Sequence, residues 1–226
     1  MARHEPEPES EAAAAHYNVP TYYRAINNDD RAAFRGLTLR VGQKAPTFQL
    51  PGLDGSEIAL PELLTKGHVG LVFGSYSAPP TILGMPAIDE LNSRLPDAAT
   101  IVFVYTREIH PNQQMLPTHQ MLLPHHQSLE LKMEAARRMR DDLGLRLPIC
   151  VDNIAGTIHR AYGNLPFSAV VIKSNGTLVH RQEWADADLL GAVLENLLLG
   201  DQRAMDGAPG RSSYTETIWN SKRGSH

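Results

Sequence analysis

The chain has 226 residues, 42% apolar and 20% charged, with a formal net charge of -4; these are proportions of one globular domain with trimmings, not of a disordered chain. Its basic residues gather nowhere beyond the segment from Arg137 to Arg140, which excludes nucleic acid as an expected partner, and its longest apolar runs fall short of the about 20 residues that span a bilayer, so no membrane partner is expected either. A single cysteine, Cys150, excludes an intrachain disulfide or CxxC pair, and with an N-terminus lacking the apolar stretch of a secretory signal it makes the cytoplasm the expected location.

Residues 1–20 are acidic, interrupted by proline and aperiodic, and read as an arm before a domain at residues 21–203. Residues 47–50 and 58–60 flank Asp54-Gly55, a dipeptide that tolerates positive φ, and predict an N-terminal hairpin. Val69-Gly-Leu-Val-Phe-Gly-Ser75 is a short apolar run bounded by glycine and a proline cluster, as a central strand covered on both faces requires. A helix is expected over residues 81–95, kinked at Pro86. Thr100-Ile-Val-Phe-Val-Tyr-Thr106 is the plainest strand, β-branched and aromatic throughout.

An inserted polar loop over residues 107–127 holds three prolines and four histidines. Ser128 then caps a helix whose apolar positions Leu129, Met133, Ala136, Met139 and Leu143 form one stripe, ended by Gly144. Residues 149–152 predict a strand, 154–162 a short helix and 168–173 a strand, with Asn175-Gly176 turning the chain into residues 178–182. Asp186 caps a final helix expected to stop at Gly200. Beyond it the tail, residues 204–226, is aperiodic, with Tyr214, Ile218 and Trp219 as apolar footholds.

Several of these segments resemble known sequences. Val41-Gly-Gln-Lys-Ala-Pro-Thr-Phe-Gln-Leu50 followed by Asp54-Gly55 is similar to the opening of peroxiredoxin-type thioredoxin proteins. Phe73-Gly-Ser-Tyr-Ser-Ala-Pro-Pro80 resembles the active-site segment of the iodothyronine deiodinases, where a selenocysteine or cysteine precedes two prolines. Tyr105-Thr-Arg-Glu-Ile-His-Pro111 resembles the strand end that presents a glutamate and a histidine in that family, and His126-Gln-Ser-Leu-Glu130 its histidine-containing helix entry. Asp152-Asn153 and Ala161-Tyr-Gly163 follow in the same order, so the resemblance covers about residues 37–200. It implies an α/β thioredoxin-like fold: an N-terminal β-hairpin, an inserted loop, and a central mixed sheet flanked by helices.

The resemblance also places Ala78 at the nucleophile position, and a methyl group cannot supply the thiolate chemistry of such a site. Ser168 stands where the family carries an arginine that helps hold its ligand, and Thr81 replaces the aromatic residue after the prolines. What remains is a polar, concave site of Ser75, Tyr76, Ser77 and Thr81 hydroxyls around Ala78, over a helix N-terminus that favours negative charge, although Pro79 and Pro80 remove two donors there. Glu108 and His110 leave a strand at alternate positions and can share a side, where a carboxylate-oriented imidazole serves as general acid or base. His126 joins from the loop's end, and Tyr76 is a candidate phenol acid.

Each residue has a plainer alternative. Glu108, His110 and His126 can form a loop-anchoring network, Tyr76 can pack, and Cys150 in a buried strand can behave as a small apolar residue. Pro166 stands where thioredoxin-like proteins carry a cis proline lining the site, or in an ordinary trans turn. His110, His119, His125 and His126 lack the spacing of a zinc site, so neither metal nor other cofactor is expected. Three functions stay open: an acid/base catalyst repurposed toward an organic small molecule, a thiol or selenol oxidoreductase represented with alanine at its nucleophile, and a binding or scaffold protein. A homodimer is compatible with any of them.

Overall fold

In the chain, strands alternate with amphipathic helices, and the computed structural model, which describes residues 24–36, 39–114 and 122–205, shows how they pack. Helix α1 (Arg24–Gly36) precedes a hairpin of β1 (Gln49–Pro51) and β2 (Glu57–Ala59), turned at Gly55 with φ of 86°. Then follow α2 (Leu60–Lys66), β3 (His68–Gly74), α3 (Pro79–Arg94), β4 (Ala99–Tyr105), α4 (Leu129–Leu143), β5 (Ile149–Val151), α5 (Thr157–Tyr162), β6 (Phe167–Ile172), β7 (Leu178–Gln182) and α6 (Ala187–Met205).

The five longer-range strands form a mixed sheet in the order β5-β4-β3-β6-β7, with β3-β4 and β4-β5 parallel and β3-β6 and β6-β7 antiparallel. β3 is therefore central, as its unbroken apolar run requires. Alternate residues of the strands feed two cores. Val72, Ile101, Phe103, Ala169 and Val171 meet Met85 and Ile88 of α3, Met139 of α4 and Leu190 of α6 on one face. Leu71, Phe73, Val102, Val170 and Ile172 meet Phe48, Leu50, Leu60 and Tyr162 on the other. Burying each such side chain stabilises the fold by about 1.5–3 kcal/mol, which makes the central strands the rigid platform of the molecule.

The sequence signals hold for most elements. Ser128 Oγ accepts from Leu131 N, Gly144 ends α4 at φ 63°, and Asp186 Oδ1 accepts from Leu189 N at the start of α6. Five features differ. α5 begins at Thr157, three residues after the expected start, because its N-cap is Gly156 at φ 66°. α1 was not legible because Asn27-Asn28-Asp29-Asp30 lowers its helix propensity; buried Phe34 and Asp30 anchor it through tertiary contacts instead. Leu60 does not extend β2 but opens α2, since Pro61 suits the first turn of a helix and not a ladder. α3 begins at Pro79, two residues before expectation, for the same reason. α6 runs past Gly200 to Met205, because a helical glycine costs only about 1 kcal/mol and Asp201 in the next turn is held by His68 Nε2 at 3.1 Å. The arm at residues 1–20, His119, and the tail residues Tyr214, Ile218 and Trp219 lie outside the described residues.

Candidate functional site

The site grows from the turn between β3 and α3. Gly74 closes the strand because nothing larger fits: a Cβ there would lie 2.6 Å from Thr81 Oγ1 and 3.0 Å from the Phe103 ring. Ala78 is the N-cap of α3, with φ −86° and ψ 111°, and is wholly buried. Its carbonyl accepts from Thr81 N at 2.9 Å and Ile82 N at 3.2 Å. Pro79 and Pro80 have no N–H, so the first helical turn keeps no free donor. The expected anion-favouring helix terminus thus retains its dipole but has no N–H to offer a ligand.

Beneath this turn lies Glu108, buried and fully bonded. Its Oε2 accepts from Ser77 N at 2.7 Å, and its Oε1 accepts from the Tyr105 hydroxyl and from His126 Nε2 at 3.0 Å. A carboxylate only accepts, so His126 carries its proton on Nε2. Burial by itself would push the Glu108 carboxyl up, but the His126 bond and charge, with the Ser77 and Tyr105 bonds, outweigh it and hold the group below the usual carboxylate range. Tyr105 Oη also accepts from Tyr76 N at 3.2 Å. Burial and the adjacent Glu108 push its phenol well above the ordinary value.

More bonds join the two loops. Ser77 Oγ accepts from Ile109 N and His110 N, each at 3.0 Å, and the Thr106 N–H and hydroxyl donate to Gly74 O at 2.7 and 3.0 Å. The segment after β4 and the turn after β3 are therefore one hydrogen-bonded unit around Glu108.

Against the sequence expectations, Glu108 and His126 come together but the carboxylate orients His126 and not His110. The two-residue alternation fails because β4 ends at Tyr105 and the chain no longer follows strand geometry at 108–110. His110 is half-buried, with its ring bonded to Gln113; burial pushes its pKa down, so it is neutral at pH 7. The Tyr76 hydroxyl donates to Asp142 Oδ2 at 2.7 Å, and burial and that carboxylate push its pKa up, which makes it a poor acid. Ser77 is spent on backbone. Ser75 Oγ and Thr81 Oγ1 are buried without a hydrogen-bond partner. Ser75, Tyr76, Ser77, Ala78 and Thr81, the residues expected to surround the site, are all buried.

Ser168 lies on β6 opposite Phe73 and is buried, and the bond before Pro166 is trans, as no cis peptide occurs among the described residues. Cys150 packs in β5, its thiol pushed up by burial and by Asp152. No group of three or more His, Cys, Asp or Glu side chains suited to a metal ion occurs among the described residues.

Two buried polar side chains were missed, one in the site and one beside β5. Tyr105 was read only as a strand residue, although a buried phenol at a strand end must find a partner. Lys132 is wholly buried, its Nζ donating to Asp152 O at 2.8 Å and Asn153 O at 3.0 Å. Its spacing from Leu129 and Ala136 is as helical as that of Met133, so the signal was present and overruled by charge.

Comparison with solved structures shows the fold. A thiol:disulfide interchange protein from Bacteroides sp. superposes with a TM-score of 0.56 at 13% identity, over 74% of this chain and 96% of that one. Peroxidoxin BcpB from Mycobacterium tuberculosis does so with 0.51 at 16%, over 70% and 98%. A DsbF homologue from Corynebacterium diphtheriae gives 0.51 at 13%, over 69% and 87%. These likenesses establish a thioredoxin-like fold. The sequence model of the iodothyronine deiodinases matches residues 33–184, a span that contains the β3-α3 turn, Glu108 and His126 together, and the chain belongs to the iodothyronine deiodinase family.

Proposed function

We propose that this family member is a repurposed enzyme that acts on an organic small molecule by acid/base catalysis, without a chalcogen nucleophile. The observation that carries the reading is the buried Glu108-His126-Tyr105 network, closed around a turn whose residue 78 is a methyl group. The reaction classes that fit are isomerisation, cyclisation and elimination, which need a proton moved but no covalent bond between substrate and protein. Glu108 holds the charge and orients His126; His110, half-buried where His126 is buried, and neutral, takes or gives the substrate proton.

A second reading, an oxidoreductase whose nucleophile is replaced by alanine, is favoured by one observation. Ala78 sits at an N-cap, where alanine is among the poorest residues, and makes no side-chain cap bond.

The test is turnover of the chain and of Ala78→Cys, side by side, with hydrogen peroxide, an aryl iodide and a thiol reductant. The proposal expects neither to turn over rapidly, because the new thiol is buried and finds no free N–H at the helix start. Rapid turnover by Ala78→Cys alone refutes it in favour of the second reading. For any substrate then found by ligand screening, His110→Ala lowers turnover about 10²–10⁴-fold; an unchanged rate removes His110 from the mechanism.

A further inference from the structure

Arg107 and Glu108 are neighbours in sequence whose side chains go to different parts of the molecule. Glu108 enters the site. Arg107, 3% exposed, meets Asp30 of α1, itself 5% exposed, through NH2 and Oδ2 at 2.5 Å. The other Asp30 oxygen accepts from Asn164 Nδ2 at 2.6 Å, and Asn164 stands in the connection from α5 to β6 at φ 65°. One carboxylate, 77 residues before Arg107 in the chain, therefore ties α1, the end of β4 and the approach to β6 together.

The placement of this pair matters more than its existence. Residues 106 and 108–110 are bonded to the β3-α3 turn on one side, through Gly74 O, Ser77 N and Ser77 Oγ. Arg107 lies between them, with its side chain held by Asp30 of α1. A guanidinium buried this deeply needs its counter-ion; deprived of it, the side chain moves toward water and takes its peptide along. The peptide that moves carries Glu108. Bonds of 2.7 and 3.0 Å to a buried carboxylate do not survive displacements of an ångström.

We propose that Asp30 is a positioning residue of the site: through Arg107 it sets the backbone that holds Glu108 against Ser77 and His126. This rests on the reading of Glu108 and His126 as the proton-handling pair, but it is tested on the ionisation of Glu108 and not on turnover, so the two can fail separately.

The experiment follows the Glu108 carboxyl by carbon-13 NMR in the full chain, assigned with Glu108→Gln, in the parent and in Asp30→Asn. Charge and position predict opposite signs. If Asp30 acts only as a charge, removing its negative charge makes the Glu108 carboxyl harder to protonate. If it positions, Glu108 loses its bonds while staying buried, and its proton affinity rises about tenfold or more. The Ser77 amide proton, released from a carboxylate, moves upfield at the same time. Asp30→Glu, which keeps the counter-ion, restores most of both signals. Should Asp30→Asn fail to fold, Asp30→Asn with Arg107→Met removes both charges and leaves no unpaired buried ion; the readout is then the Ser77 amide proton, whose upfield move supports the proposal, since lost charge alone leaves its bond to Glu108 in place. A fall or no change in proton affinity in Asp30→Asn, or an unmoved Ser77 amide in the double variant, overturns it.

Discussion

Replacing Glu108 by glutamine keeps its shape and removes its charge, and the consequences follow from three bonds. Ser77 N–H, Tyr105 O–H and His126 Nε2–H all donate to the carboxylate. A glutamine amide has one oxygen to accept where the carboxylate has two, so its NH₂ must face either Ser77 N–H or the Tyr105 and His126 side, and the charge assistance of all three bonds is lost. Hydrogen bonds to a charged group contribute about 1.5–3 kcal/mol each, a large share of the 5–15 kcal/mol that holds a domain of this size. The assay is urea denaturation of the chain and of Glu108→Gln followed by circular dichroism, at pH 7 and at lower pH. The sign is set by the Glu108 carboxyl lying below the usual range in the folded state. Such a group contributes its stability above the unfolded value of about 4.3 and loses it as pH falls from there through the folded value. The difference between the two proteins is therefore largest at neutral pH and shrinks below about pH 4.3. A cost under about 1 kcal/mol, or one independent of pH, would falsify the assignment of Glu108 as an ionised, bonded anchor.

Three further outcomes follow from other parts of the molecule. His159 is buried, its Nε2 donates to Leu165 O at 2.8 Å, and burial together with the nearby Arg107 charge holds its pKa well below the ordinary value. Stability it supplies as a neutral ring is present above about pH 6.5 and drains away below it; His159→Phe costs about 1–3 kcal/mol at pH 7 and gives a shallower loss of stability between pH 6.5 and 5 by denaturant titration. Gly67→Ala would set a Cβ 1.9 Å from Ala98 O, a backbone atom that cannot step aside, so a loss of about 3 kcal/mol or more is expected in thermal unfolding, and near-native stability contradicts the β3-β4 approach. Asp186→Ala removes the acceptor of Leu189 N and lowers stability by about 1 kcal/mol, with fraying confined to the first turn of α6 in amide exchange.

The order of strands and helices could be read along the chain because each rests on local chemistry: the apolar run of β3, the β-branched run of β4, the Ser128 and Asp186 caps, and the glycine and asparagine turns. The family, too, was legible, in the Phe73 to Pro80 and Tyr105 to Pro111 segments. Missed elements were those whose local signals oppose their structure. α1 carries four consecutive Asn and Asp residues, and α2 opens at a proline-bearing segment that also reads as strand.

At the site the division is sharper. Residue types determined that a carboxylate and four imidazoles follow β4 and that residue 78 bears no nucleophile. Only the tertiary structure decided which imidazole the carboxylate meets. That choice depends on where the chain leaves strand geometry after Tyr105 and on the closure of a loop that returns His126 to Glu108. The use of Tyr105, Lys132 and Asp30 was decided there as well. A buried polar group must find its partner wherever the fold brings one, and for these residues the partners came from other elements, beyond the reach of any local pattern.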